Sequence, residues 1–261
     1  MDCGEGAFQQ LARAGFDLKQ VRELFITHHH FDHIGSLFAC LGLNMMMHRH
    51  QPMNIYGPPG TSKILDHLIA ACDIPQATGF SVPGQTLPHP RDFINSRDIQ
   101  PGEILYIDDI RISCCENTHY RPEDQFGKQG PISLSYRFDA PDRSMVFTGD
   151  TGPCLALEEF AKNADLLVGE LFDTELVINR LRATNPDMSD HALLQMRQHF
   201  DEHHLTPEDL GKLASRAGVK KLVAVHIPFI TKSAAEDAKY IKRISAKFSG
   251  SISISEDLNK Y

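Results

Sequence analysis

The chain has 261 residues, with 26 Lys and Arg against 34 Asp and Glu and a formal net charge of −8. With 41% apolar and 23% charged residues it has the composition of an ordinary globular protein, not a disordered or fibrous one, and no apolar run approaches the roughly 20 residues of a membrane-spanning helix. The acid balance argues against a protein that grips nucleic-acid backbone over its whole surface, since that calls for a basic face; only a small local basic patch survives the test.

The opening Met1-Asp2-Cys3-Gly4-Glu5-Gly6 lacks the basic start and apolar stretch of a secretory signal. It reads as a strand end running into a turn, as if residues upstream had been lost. Ala7 to Ala14 is predicted helical, and Val21 to His28 is predicted as a strand that ends in a histidine run. Helical spacing follows over His33 to Leu43, then a short strand at Met53–Tyr56 closed by Gly57-Pro58-Pro59-Gly60, then a helix over 62–72. Residues 73–103, rich in Pro, Gly and Asp, are expected as an extended loop.

Strands then dominate, at Ile104–Ile107, Ile110–Cys115, Ile132–Phe138 and Ser144–Thr148. A helix (Leu155–Lys162), a strand (Leu166–Glu170) and helical segments to about Phe200 follow, with 172–202 as a candidate helical lid. Thr206–Ala217 is helical, opened by an N-cap hydroxyl, a first-turn proline and two acids. A strand (Lys221–Val225), a helix (Ala234–Lys247) that starts on the capping box Ser233-Ala-Ala-Glu236, and a strand (Ser251–Ser255) complete the chain. No linker splits this alternation, so a single α/β domain over 1–261 is expected. The six cysteines (3, 40, 72, 114, 115 and 154) form no CxxC pair; they read as buried free thiols in a reducing compartment.

The strongest chemical signal is Thr27-His28-His29-His30-Phe31-Asp32-His33. Side chains alternate along a strand, so His28 and His30 share a face and His29 takes the other. Asp32 and His33, where the chain turns into a helix, can swing to the same hollow. Four N and O donors in six residues suit a borderline divalent ion such as zinc. Each ion takes about four ligands, so the cluster cannot complete two spheres alone. Three further candidates sit at strand ends: His119 after Ile110–Cys115, Asp150 after Val146-Phe147-Thr148-Gly149, and His226 after Leu222–Val225.

HxHxDH, a lone His, an Asp within Thr148-Gly149-Asp150-Thr151 and a late His together resemble the metallo-β-lactamase superfamily, over nearly the whole chain. The details look like the ribonuclease Z, arylsulfatase and phosphodiesterase branch: Asn117-Thr118-His119-Tyr120 lacks the Gly-His-Thr-Pro-Gly context of glyoxalase-like members. The resemblance implies a four-layer αβ/βα sandwich, here without the first N-terminal β-hairpin. It also implies a dinuclear site holding two divalent ions, zinc first, with manganese or iron as alternatives. His28, His30 and His119 would hold one ion, Asp32, His33 and His226 the other, and Asp150 would bridge them. Glu170, in Gly169-Glu170-Leu171, falls in the position of the His-Glu-Ala-Thr motif of that branch without its His. His204, in His204-Leu205-Thr206, falls where the branch carries a catalytic histidine.

The implied reaction is hydrolysis by a metal-bridging hydroxide. Asp32 would ligate and orient it, and His204, held by Glu170, would stabilise charge or protonate the leaving oxygen. A phosphodiester, cyclic nucleotide or aryl sulfate is the leading substrate class. A lactone, β-lactam or other carboxylic ester is the second reading, and a metal-binding protein without turnover the third. Phe31 replaces a residue that is often Gly in the branch, which narrows the site or simply packs. Only 31 positions separate His119 from Asp150, too few for the long arm with which ribonuclease Z proteins grasp transfer RNA. Together with the charge, this points to a small-molecule ester as partner and away from transfer RNA. The missing hairpin would open a sheet edge, for which a homodimer is the expected cover; membrane contact is not expected, and the location reads as cytoplasmic. Met45-Met46-Met47 with His48 and His50 are candidates for a pocket lining or for core, and His67, His89, His191 and His199 for ordinary surface.

Overall fold

The computed structural model describes residues 1–80, 82–228 and 233–261. The chain divides into two compact units, Met1–Gln100 and Pro101–Tyr261.

The first unit contains α1 (Ala7–Arg13), β1 (Glu23–Phe25), α2 (Phe31–Ile34), α3 (Leu37–Met46), β2 (Met53–Gly57), α4 (Thr61–Ala71), α5 (Asp73–Thr78) and β3 (Ile94–Asp98). The strands form a parallel sheet in the order β1-β2-β3. Parallel neighbours need crossover connections, which α2–α3 and α4–α5 supply. Leu24, Ile26, Leu37, Leu41, Met53, Ile55 and Leu65 form its core. Met45 of the methionine run joins that core at 2% exposure, whereas Met46 and Met47 remain 46% and 36% exposed.

Three differences from the sequence expectation have local causes. β1 stops at Phe25, three residues before His28, because the Thr27 N–H donates to the Asp2 carboxylate instead of a neighbouring strand. The expected helix over 33–43 is two helices, broken where Ser36 N–H donates to the Cys3 carbonyl. The expected 73–103 loop holds α5 and β3. That strand is mostly polar and exposed, and Asp98 at its end receives the Gly60 and Ser62 N–H groups (2.9 and 2.8 Å) and so caps α4.

The second unit contains β4 (Ile104–Ile107), β5 (Ile110–Glu116), β6 (Leu134–Asp139), β7 (Ser144–Phe147), α6 (Leu155–Phe160), β8 (Leu166–Glu170), α7 (Thr174–Thr184), α8 (Asp190–His203), α9 (Pro207–Ala217), β9 (Lys221–Val225), α10 (Ala234–Ser245) and β10 (Ser251–Ile254). Its sheet runs β10-β9-β8-β7-β6-β5-β4. β4 to β7 form an antiparallel meander, and β7 to β10 are parallel. Val146, Leu157, Leu167, Leu210, Leu222, Tyr240 and Ile244 fill the core between sheet and helices. α9 starts on Thr206, whose hydroxyl accepts the Asp209 N–H at 3.2 Å, and ends on Gly218 at φ 65°.

The strand directions fix where chemistry can gather. β5 is antiparallel to β6, and β6 to β7, so β5 points the same way as β7, β8 and β9. The residues that follow these four strands therefore emerge at one edge of the sheet, the edge on which open α/β folds place ligands.

All six cysteines are free, and only Cys115 is not fully buried. Burial pushes the Cys40 and Cys154 thiols up to about 12 and the Cys114 thiol up to about 11.

Candidate metal-binding clusters

In the first unit Asp2 organises the histidine run. Its Oδ1 accepts the Thr27 N–H at 2.7 Å, and its Oδ2 accepts the Thr27 hydroxyl at 3.0 Å. With that one hydroxyl proton committed, the 3.0 Å contact between Thr27 Oγ1 and His28 Nδ1 requires the ring to donate. The lone pair of neutral His28 then sits on Nε2. His33 Nδ1 lies 2.9 Å from Asp2 Oδ2; a carboxylate only accepts, so this ring also keeps Nδ1–H and presents Nε2. Holding imidazoles by the far nitrogen is how proteins orient metal-binding histidines.

The His28 ring centroid lies 4.0 Å from that of His33 and 4.8 Å from that of His30. Asp32 Oδ2 is 3.8 Å from His33 Nε2, and its side chain is 64% exposed. His29 faces away, beyond the end of β1: its Nε2 bonds Thr61 Oγ1 at 2.8 Å, and burial lowers its pKa. Gly4 brings the Asp2 turn against the ligand segment, since a Cβ there would sit 2.0 Å from the Asp32 carbonyl oxygen. Phe31 is 80% exposed, with only one edge of its ring lying over Gly35.

In the second unit His119, Asp150, Glu170 and His226 come from the ends of β5, β7, β8 and β9, and His204 from the end of α8. Ligand atoms of His119, Asp150 and His204 lie within 4.8 Å of one another, as do those of Asp150, Glu170 and His226. Asn117 sets the His119 loop by donating to Ser135 Oγ (3.1 Å) and to the Thr148 carbonyl (3.0 Å). His119 Nδ1 donates to the His203 carbonyl at 3.1 Å, while His203 Nδ1 donates to the Thr118 carbonyl at 3.0 Å. This reciprocal clasp ties the loop to the end of α8 and leaves Nε2 of His119 as the donor atom for a metal. Asp150 is buried, with Oδ1 3.6 Å from His226 Nδ1 and Oδ2 4.0 Å from His204 Nδ1. His226 holds φ 52°, a left-handed conformation uncommon for a residue with a Cβ and frequent at functional sites.

Glu170 is buried between the Thr151 N–H and His204. One oxygen accepts the former, and the other lies 2.8 Å from His204 Nδ1. Burial, reinforced by the Asp150 carboxylate, pushes its pKa upward. His204 stacks on Phe172, centroids 4.3 Å apart and 19° between planes, and stands edge-on to His119 at 5.0 Å. The histidine that the resemblance would place before this glutamate is Gly169 here, and a Cβ there would meet Leu210 Cδ1 at 2.6 Å. Leu210 of α9 occupies that space. Gly152 is tighter still, because its Cβ would lie 1.8 Å from the Glu202 carbonyl oxygen. Gly152→Ala is expected to cost about 3 kcal/mol or more of stability, read as a lowered urea midpoint; a change under about 1 kcal/mol would show that the α8 end yields freely.

Asp2, Thr27 and His203 were not singled out from the sequence. The Asp2-Cys3-Gly4 segment was the available signal for Asp2, a carboxylate two residues before a glycine. His48 and His50 both follow α3, apart from the metal-type clusters found among the described residues. Nearby Arg49 is buried and bonds the Gln51, Pro52 and Leu18 carbonyls.

Imidazole nitrogens fixed as Nε2 donors, joined by carboxylate oxygens, are the donor set that borderline divalent ions take, so the residues of each cluster fit such ions. A family model described as Beta-lactamase superfamily domain matches residues 1–227. Ribonuclease Z of Mycobacterium avium (strain 104) is 26% identical over 264 aligned positions, covering 100% of this chain and 86% of the relative. Ribonuclease Z of Methanothermobacter thermautotrophicus is 26% identical over 265, covering 87% and 76%. Among solved structures, the metallo-beta-lactamase fold protein YhfI from Bacillus subtilis matches with a TM-score of 0.63 at 19% identity, covering 98% of this chain and 83% of that one. Human tRNase Z, short form, matches at 0.62 and 17%, covering 99% and 85%.

These relatives overturn the expected partner. Acidity and the short interval before Asp150 pointed to a small-molecule ester and away from transfer RNA, yet the aligned relatives are ribonucleases Z, one structural match being a tRNase Z. The flaw is one of averaging, because net charge does not locate charge. Residues 205–261 carry ten Lys and Arg against six Asp and Glu, whereas the preceding 204 carry sixteen against twenty-eight. Among the described residues no helix is long and apolar enough to cross a membrane. The two helix-flanked sheets are those of the metallo-β-lactamase fold, and the chain belongs to the metallo-β-lactamase superfamily, on its ribonuclease Z and phosphodiesterase-like branch, as a metal-dependent hydrolase of the phosphodiesterase type.

Proposed function

We propose that the protein hydrolyses phosphodiester bonds of RNA, with transfer RNA as the substrate to test first. In this reading His28, His30, Asp32, His33, His119, Asp150 and His226 hold two divalent ions, zinc being the first choice for their nitrogen-rich donor set. When bound, the ions supply charge stabilisation at the phosphoryl oxygens and acidify the attacking water. The rest of the chemistry belongs to the chain. Asp32, acid and exposed, accepts a hydrogen bond from that water and aims it. Glu170 accepts the Nδ1–H of His204, so proton exchange is confined to Nε2, and Phe172 keeps the ring from turning. A cationic His204 gives the Nε2 proton to the leaving ribose oxygen as the P–O bond breaks.

The observation that carries this reading is the buried Glu170–His204 pair beside Asp150. Such a pair would be an expensive burial of polar groups in a protein that only stores metal. The names of the aligned relatives support RNA as the substrate class. The test incubates metal-loaded protein with a transfer-RNA precursor and with an unstructured RNA, with and without chelator. Chelator-sensitive cleavage of either RNA is expected. Stoichiometric metal without cleavage of any RNA would overturn the proposal.

A further inference from the structure

Phe31 stands between two of the candidate ligands, His30 and Asp32, and is 80% exposed, the highest value among the exposed large apolar side chains of the described residues. A lone exposed apolar residue is unremarkable on most surfaces. Here three circumstances coincide. The position lies inside the densest metal-ligand motif of the chain, where a small residue would suffice for the turn. The ring is also placed: it lies over Gly35, where a Cβ would meet Phe31 Cε1 at 3.1 Å and Cδ1 at 3.4 Å. Glycine at 35 thus lets one part of the ring rest on backbone while most of it faces water. Finally, Phe31 opens α2, and the Gly35 N–H donates to its carbonyl at 2.7 Å, so its backbone is held by the same turn that carries Asp32 and His33.

We propose that Phe31 is a stacking platform for the nucleobase next to the scissile phosphodiester, and so a binding and specificity residue of this enzyme. The inference rests on the RNA-hydrolase reading above. Phe31 is the chain neighbour of both His30 and Asp32, so a phosphodiester held at those ligands would place a flanking base close to the backbone that carries this ring. An aromatic face is the sequence-tolerant means by which proteins hold an unstacked base, whereas an aliphatic side chain offers only apolar area. The role also accounts for an apolar ring left in water beside charged ligands, since base stacking would bury it on binding.

The test measures KM and kcat on an RNA cleaved by the wild type, and on the same RNA made abasic at the flanking position. Phe31→Ala is expected to raise KM about 5- to 150-fold, the range that base stacking supplies, with kcat and bound metal little changed. Phe31→Trp retains binding, and Phe31→Leu, which keeps apolar bulk if alanine disturbs folding, loses most of it. The abasic RNA binds the wild type as weakly as the intact RNA binds Phe31→Ala, and the alanine change costs nothing further with it. 2-Aminopurine at the flanking position, quenched by wild type and not by Phe31→Ala, reads the same contact without turnover. Equal KM values for Phe31→Ala and wild type on the intact RNA would overturn the inference, as would loss of metal in Phe31→Leu. Failure of the wild type to cleave any RNA is a different result, since it falls on the parent reading.

Discussion

His204→Ala is expected to lower kcat on an RNA phosphodiester by about 10²- to 10⁴-fold, the usual worth of a positioned general acid, with metal content unchanged. The split follows from geometry. His204 is anchored by Glu170 on one nitrogen and by Phe172 on one face, so in the proposed mechanism Nε2 is the nitrogen that meets the reacting group. Because Nδ1 also lies 4.0 Å from Asp150 Oδ2, bound metal must be measured on the same preparation. A fall in metal parallel to the fall in kcat would make His204 a ligand and sink the acid role. Glu170→Gln lowers kcat in the same direction, because an amide in place of the carboxylate no longer stabilises the imidazolium.

Asp2→Ala is expected to weaken metal binding about 10- to 100-fold, the cost typical of removing a residue that orients ligands. The change removes three hydrogen bonds at once, to Thr27 N, Thr27 Oγ1 and His33 Nδ1. The effect reaches His28 through the Thr27 hydroxyl, which would otherwise have no fixed direction. Competition with a chromophoric chelator gives the affinity, and activity at saturating metal should recover most of the loss. Unchanged affinity would mean that the His28 and His33 rings are set by packing alone. Asp2→Asn should fall between wild type and alanine, since an amide oxygen can accept from Thr27 but its nitrogen opposes the His33 N–H.

Much of this architecture was legible from periodicity. β4, β8 and β9 have the boundaries that their apolar runs suggested; the runs of β8 and β9 are buried against helices, whereas β4 is a half-exposed edge strand. The placement of His119, Asp150 and His226 at strand ends was legible for the same reason, and their shared edge follows from strand direction. What stayed hidden is set by contacts between distant segments. β3 has only Ile94 buried among its five residues, so no alternation marks it; its Asp98 serves a helix cap 36 to 38 residues away. The end of β1 is decided by Asp2, 25 residues from Thr27. The clasp between His119 and His203 spans 84 residues through main-chain carbonyls, which no side-chain pattern records. The expectation against transfer RNA leaned on the summed charge and on the short interval before Asp150, and neither reports where the basic side chains of residues 205–261 lie.

The burial of the native thiols has a practical consequence. With five of six cysteines enclosed and burial holding the thiols protonated, maleimide reagents should leave the folded protein largely untouched and report its unfolding instead. A single sulfhydryl introduced at an outward-facing position, Tyr106→Cys for example at 71% exposure, would accept a fluorophore without removing any native cysteine. The protein thus comes ready for site-directed dyes, and RNA encounter could be followed on the intact wild-type thiol background.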